Sequence, residues 1–414
     1  MANKWKETIE KWGLKGNPFT PLPPEIDNEE KLKKIFTGRG DEIGHICGLL
    51  DPPRGFFIYG MFGVGKTILI QEAFRKLKHQ DIITLYTIFD PHDGFLKTIL
   101  KGLAKALANR GVEDAKWVVD LLTRGKKIVA EEKQKGKKGG IDVKIISGSI
   151  EAIDKYIETT TLEIDNPRDS IETLIRRVKK DGKTIVIAVD DLERRGDIVT
   201  MQQIIDESRD ILSFGCSLIL TGHPIGVTRS LRTSSGGMLV EIPLEQLPKE
   251  ELIEMMIKYL DTVRKTDRGF QREYPFDSEA VGWIAEQMTK NNLTPRIFNL
   301  ACFHIFEKAA IEGYEEINMG FLNRHWSIVA QKLLENIEDK DKEYIEVIYR
   351  LGGISEDSEE AIMQIGGELA EYPEVRNILA NLIRTDVLIE REEERKKVIE
   401  LNPLIKEKTY LFLD

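Results

Sequence analysis

Cysteine is nearly absent: Cys47, Cys216 and Cys302 are the only three in 414 residues. They lie far apart, without the spacing of a metal site or a disulfide framework, which excludes a disulfide-stapled scaffold and implies buried thiols in a reducing compartment. Long apolar runs are also missing. No stretch approaches the roughly 18 apolar residues that a membrane span requires, and the opening MANKWKETIEKWG alternates charge with aromatic groups instead of building an apolar leader core. A cytoplasmic protein with no membrane insertion is the expectation. Positive charge is not in surplus either: 60 Lys and Arg face 70 Asp and Glu, for a formal net charge of -10. That excludes a uniformly basic nucleic-acid-binding surface and leaves room only for a local basic patch.

What is present describes an ordinary globular chain, 41% apolar and 31% charged, long enough for two or three domains. Gly55 to Tyr59 reads as a buried strand, followed by the glycine loop Gly60 to Gly65 and a helix carrying Ile68, Leu69, Ala73 and Leu77. Further strands are predicted at Ile82 to Phe89, Thr184 to Val189, Ser217 to Leu220 and Met238 to Ile242. Strands separated by helical patterns predict an α/β layer with a mostly parallel sheet. Beyond Pro243 the spacing of Leu252, Met255, Met256, Tyr259, Leu260 and Val263 is helical, and this pattern continues to about residue 335.

Residues Gly60, Gly65, Lys66 and Thr67 match the phosphate-binding pattern G-x-x-x-x-G-K-[ST] in its required setting between a strand and a helix. Along Gly60, Met61, Phe62, Gly63, Val64, Gly65, Lys66, Thr67 and Ile68, successive backbone N–H groups and the helix N-terminus would face the phosphates. Lys66 would neutralise the terminal phosphates and the Thr67 hydroxyl would coordinate Mg²⁺. The acidic counterpart is the apolar strand Thr184 to Val189 ending in Asp190 and Asp191. Asp190 is expected to hold the hydrated metal ion and Asp191 to orient and activate the attacking water, with Glu193 as a rival base. Two acids after a strand are also a common solvated strand end. Thr221, at the end of the fourth strand, can hydrogen-bond the attacking water or simply cap the turn Gly222-His223-Pro224. Pro295 can start a helix and so place Arg296 in its first turn, with Ile297, Leu300, Ala301 and Ile305 as an apolar docking face. Arg229 and Arg232, before the loop Ser234-Ser235-Gly236-Gly237, read either as solvated arginines or as an arginine finger, Arg232 preferred, reaching a neighbour's nucleotide.

These residues resemble an AAA+ ATPase of the branch that includes origin-recognition initiators, transposition-helper ATPases and STAND-like regulators. The resemblance spans nearly the whole chain. In its terms Gly60 to Thr67 is Walker A and Ile185 to Asp191 is Walker B, Thr221 stands at a polar sensor, and Thr294-Pro295-Arg296 is similar to the second sensor, whose arginine reaches the terminal phosphate. Asn17-Pro18-Phe19 and Gly38-Arg39 resemble segments that lie near the nucleotide base. The resemblance implies ATP or ADP with Mg²⁺ as cofactors and a nucleotide-dependent homo-oligomer with a protein partner. Many members of the family end Walker B in Asp-Glu; Asp-Asp here is closer to STAND proteins and favours slow, switch-like hydrolysis. The expected layout is an α/β P-loop NTPase core over residues 1–243, a helical lid domain over 244–335 and a winged-helix-like domain over 341–414.

Two segments bear on partners. A basic insertion at about 124–146 carries eight Lys or Arg against three acids between Arg124 and Lys144, with Gly136, Gly139 and Gly140 breaking any continuous helix. It can contact a phosphodiester backbone through charge, or be an ordinary solvated loop. The last domain pairs helical segments at Tyr344 to Leu351 and Val375 to Ile383 with a hairpin, Val387 to Ile389 and Val398 to Leu401, and Asn377, Asn381 and Arg384 lie on the candidate recognition helix. Ten Lys or Arg against eighteen Asp or Glu over 341–414 make it acidic, so protein docking has at least equal standing with DNA contact. Three classes remain open: an ATP-driven assembly switch, a DNA-associated ATPase in replication, transposition or defence, and a nucleotide-binding scaffold with little turnover.

Overall fold

The computed structural model describes residues 2–20, 29–48, 50, 52–78, 81–112, 115–116, 118–119, 166–192, 198–222, 239–265, 271–335, 337–355, 372–393 and 396–406. The chain forms two compact units, one made of Gly40–Tyr59 and Ala73–Pro243 and the other of Met1–Arg39, Gly60–Glu72 and Leu244–Asp414.

The first unit is built on a five-stranded, all-parallel sheet. Its strands are β1 (Gly55–Tyr59), β2 (Ile82–Ile88), β3 (Thr184–Asp190), β4 (Ser217–Gly222) and β5 (Leu239–Pro243), in the order β2-β3-β4-β1-β5. The runs GFFIY, TIVIAVD and SLILTG carry almost no polar alternation because helices cover a parallel sheet on both faces. Helices Phe95–Ala108 and Pro167–Lys180 pack into its core through Ile99, Leu103, Ile171 and Ile175. The second of these starts where the sequence marks it: Asn166 caps the Asp169 N–H and Pro167 takes the first turn. Because β4 sits between β1 and β3, the carboxyl end of β3 has β4 on one side and β2 on the other. Carboxyl ends of parallel strands are where ligand-handling residues gather in open α/β sheets.

The second unit is mainly helical. Helices Lys249–Val263, Ser278–Lys290, Met319–His325 and Ser327–Leu334 pack on the axial helix Pro295–Glu312, which buries Phe298, Ala301, Cys302, Ile305 and Phe306. Residues 2–20 belong to this core. Helix Ala2–Lys11 lies on Pro295–Glu312, and the fully buried Trp12 donates its indole N–H to the Glu315 carbonyl at 2.9 Å. The same apolar cluster runs on through helices Asp339–Leu351 and Tyr372–Arg384 and an antiparallel sheet of β6 (Ile354–Ser355), β7 (Leu388–Glu393) and β8 (Lys396–Leu401), ordered β6-β8-β7. Cys216 and Cys302 are buried, and burial pushes both thiols above their ordinary range. Among the described residues no helix is long and apolar enough to cross a membrane.

Candidate functional site

The loop Gly60–Gly65 leaves β1 and leads straight into helix Lys66–Leu77. Gly63 has a φ of 77°, and a Cβ there would lie 2.7 Å from the Arg296 Cβ and 2.8 Å from the Thr294 hydroxyl oxygen. Only glycine permits that approach of the lid helix to the loop. The Arg296 N–H donates to the Gly63 carbonyl at 3.3 Å, so loop and helix start are joined through the backbone as well. Gly60 is equally tight: a Cβ would stand 2.7 Å from the Leu244 carbonyl oxygen. Lys66 is 8% exposed, and its ammonium donates to the carbonyls of Gly60 at 2.8 Å and Met61 at 3.2 Å, curling over the loop it follows. Val64 is buried, while Met61, Phe62, Thr67 and Ile68 are half-buried.

The donor set fits a nucleoside triphosphate with Mg²⁺. A buried ammonium at the start of a 12-residue helix suits polyphosphate charge. Among the described residues no group of three or more His, Cys, Asp or Glu comes together as a metal cage.

The nucleotide-proximal candidates divide. The Arg39 guanidinium donates to the Val64 carbonyl at 3.5 Å and to the Glu245 carbonyl, which brings it to the phosphate loop. Both Gly38 and Arg39 have positive φ, 67° and 61°, and Gly38 lies against the Glu251 carboxylate. Asn17, Pro18 and Phe19 are placed in the helical core. There the Asn17 amide donates to the Glu307 carboxylate at 2.9 Å, Pro18 is buried, and Phe19 stacks on Tyr259 with edge contacts to Phe276 and Phe306.

At the carboxyl end of β3, Asp190 is 4% exposed and held at both oxygens. The Tyr86 hydroxyl donates to Oδ2 at 2.7 Å, while the Thr221 hydroxyl and the Asp191 N–H, the latter at 3.1 Å, donate to Oδ1. Thr221, fully buried, commits its one proton to Asp190 and accepts the Asp191 N–H at 3.0 Å. Asp191 leaves the strand with a φ of 66°, a left-handed conformation that Asp tolerates better than most residues. The arrangement fixes the direction of the Asp190 carboxylate and turns the chain sharply after it. Tyr86 was not singled out by the sequence. It sits on β2 opposite Ala188, so its ring runs diagonally to Asp190 two residues on. The only local signal is a tyrosine with a polar tip inside a strand.

Arg296, on the lid helix, sends its guanidinium to the turn that follows helix Tyr372–Arg384. Its Nε pairs with the Asp386 carboxylate at 3.1 Å and its Nη2 donates to the Arg384 carbonyl at 2.8 Å. Asp386 is 4% exposed, and burial, opposed by the Arg296 charge, raises its carboxyl to about 6. A carboxyl raised from 3.8 takes up a proton in the folded state, so its effect on stability worsens as pH rises from about 4 to about 6 and is constant above that range. Compared with an Asp386→Asn variant, the wild-type protein should therefore gain up to about 3 kcal/mol of relative stability as pH falls from 7 to 4. Paired denaturant titrations across that range check this; a constant difference between the two proteins contradicts it. Arg229, Arg232, Glu193, His223 and the basic segment 124–146 lie outside the described residues.

Residues 35–218 match the family model described as AAA ATPase domain. No curated protein matches the chain in sequence. Among solved structures, the ORC1 protein of Aeropyrum pernix in complex with DNA is similar with a TM-score of 0.50 and 14% identity, covering 94% of this chain and 94% of that one. A Walker-type ATPase of Pyrococcus abyssi is similar with a TM-score of 0.46 and 14% identity, covering 94% of this chain and 99% of that one. The family match supports a P-loop NTPase-like core with a mostly parallel sheet and a helical lid, and at 14% identity the likeness to the first of these structures is one of fold.

Proposed function

We propose that this AAA+ ATPase-like chain is an ATP-binding and hydrolysing molecular switch that controls assembly or the recruitment of a partner. The observation that carries the reading is the phosphate loop itself, with a buried Lys66 ammonium and a glycine at position 63 that lets the start of the lid helix lie against it. Lys66 gives up the carbonyls of Gly60 and Met61 for the terminal phosphates of ATP. Thr67 and Asp190 would hold Mg²⁺, which when bound offsets the charge on the phosphate oxygens. Asp191 orients a water and takes its proton as the water oxygen bonds to the terminal phosphorus. The bond from that phosphorus to its bridging oxygen breaks, and the electron pair stays on ADP. Arg296 supplies positive charge to the terminal phosphate from the lid, and Arg232 does so from a neighbouring copy.

Tyr86 and Thr221 supply orientation in this reading. By donating to opposite oxygens they leave Asp190 one direction in which to present its remaining lone pairs, so the metal-holding carboxylate need not be ordered when the nucleotide arrives.

A DNA-associated role has its own support: the order helix, β6, helix, β7, β8, with a β6-β8-β7 sheet, favours reading the C-terminal elements as winged-helix-like. Its acidic balance favours a protein partner over DNA. ATP turnover and particle size, measured with and without double-stranded DNA at several salt concentrations, separate the readings. Mg-dependent turnover with nucleotide-dependent assembly is the expected result. Tight ATP binding without turnover would mean a scaffold, DNA stimulation that fades with salt would mean a DNA-associated enzyme, and absence of ATP binding would remove the proposal.

A further inference from the structure

The turn that follows helix Tyr372–Arg384 is built against several local preferences. Asp386 occupies a left-handed position, φ 61°, just after the helix, where glycine or asparagine is the usual choice. Its side chain is a carboxylate at the negative end of the helix dipole, and it is buried. The backbone around it is tightly set: the Asp386 N–H donates to the Ile383 carbonyl at 3.1 Å, and its carbonyl accepts from the fully buried Asn402 amide at 2.8 Å. Asparagine would make the same turn without the buried charge. A residue that costs stability where a neutral one would serve marks a position held for another reason.

That reason is visible in its partner. The Arg296 side chain leaves its helix directly over the phosphate loop, with its Cδ 3.1 Å from where a Gly63 Cβ would stand, and then runs to Asp386 and the Arg384 carbonyl. Thus the arginine assigned to the terminal phosphate has its guanidinium committed to the C-terminal turn. Asp386, Met61, Phe62, Thr294, Ile297 and Ile383 line one small cleft, so turn and loop face a common space.

We propose that Asp386 sets the discrimination between nucleoside triphosphate and diphosphate, by holding Arg296 until a terminal phosphate replaces it. The inference rests on the nucleotide-site reading above. A diphosphate has no group to displace Asp386 and leaves the pair intact. A triphosphate must compete with it, which lowers apparent affinity for ATP and, by the same coupling, releases the turn at Arg384–Val387 when ATP is bound. The C-terminal elements therefore register the terminal phosphate through one ion pair. Because asparagine also accepts a left-handed φ, Asp386→Asn removes the competing charge while keeping the turn.

The test is the ratio of ADP to ATP dissociation constants, measured with Mg²⁺ for wild type, Asp386→Asn, Arg296→Ala and the double variant, together with amide exchange at Thr385, Asp386 and Val387. Asp386→Asn should shift the ratio about fivefold or more toward ATP, and the shift should vanish in the Arg296→Ala background. In wild type, ATP and not ADP should speed exchange at the three amides. If nucleotide binds in a Lys66-dependent way but the ratio moves less than about twofold and exchange ignores the terminal phosphate, Asp386 has no such role and the nucleotide site stands. If nucleotide does not bind at all, both readings fall. Should Asp386→Asn misfold, wild-type exchange alone decides: a response to ATP only supports the proposal, and equal responses overturn it.

Discussion

Replacing Lys66 with Ala should weaken ATP binding by about 100-fold, the loss expected when a charge-assisted contact of roughly 3 kcal/mol is removed. The ammonium is a polar tie and not a packing element: it donates to the carbonyls of Gly60 and Met61, and the apolar residues that anchor the start of the helix are Val64, Leu69 and Ile70. The melting temperature should accordingly fall only modestly, because the substitution removes hydrogen bonds to two carbonyls and no apolar anchor of the helix. Fluorescent-nucleotide titration alongside thermal unfolding makes the comparison. A folded Lys66→Ala protein that binds ATP as tightly as wild type would show that the loop is not where the phosphates sit.

Asp191→Asn should leave Mg-ATP binding intact and slow turnover by about 100-fold or more, the scale of a general-base and water-positioning contribution. The substitution is mild on structural grounds. Asparagine accepts the left-handed φ at this position, and the hydrogen bonds that tie residue 191 to Thr221 and to Asp190 come from its backbone N–H. The Asp190 clamp therefore survives, and a fall in rate reports the carboxylate that was lost. Turnover of Asp191→Asn and Glu193→Gln measured under single-turnover conditions decides between the two acids. Unchanged turnover in the first with abolished turnover in the second would move the base to Glu193.

Much of the core was legible because its signals are local. A parallel strand covered on both faces must be a short apolar run, so β1, β3 and β4 stand out in sequence within a residue or two of their ends. The caps at Asn166 and Thr294, each followed by proline, mark helix starts by chemistry confined to four residues. The loop Gly60–Gly65 is legible for the same reason, since a glycine-rich turn between a strand and the helix that begins at Lys66 is contiguous in the chain.

Side-chain partnerships are a different matter. Tyr86 and Asp190 are 104 residues apart in the chain and meet because β2 and β3 pair in parallel with Ile88 opposite Asp190; a slip of one residue would turn the tyrosine to the other face. Thr221 was readable as a polar residue at a strand end, but its use as a donor to Asp190 follows from β4 lying between β1 and β3. Asn17, Pro18 and Phe19 resemble a nucleotide-proximal segment, yet their side chains engage Glu307, Tyr259, Phe276 and Phe306 within the helical core. Arg296 was marked by its neighbours Thr294 and Pro295, and nothing in that tripeptide announces Asp386, 90 residues further on. Sequence alone determined the strands, the helix starts and the glycine loop between β1 and the next helix, since apolar periodicity, capping and glycine geometry act over a few residues. Only the tertiary structure decided which distant groups share a proton or an ion pair, because strand order, register and the packing of one helix end against another place those groups together.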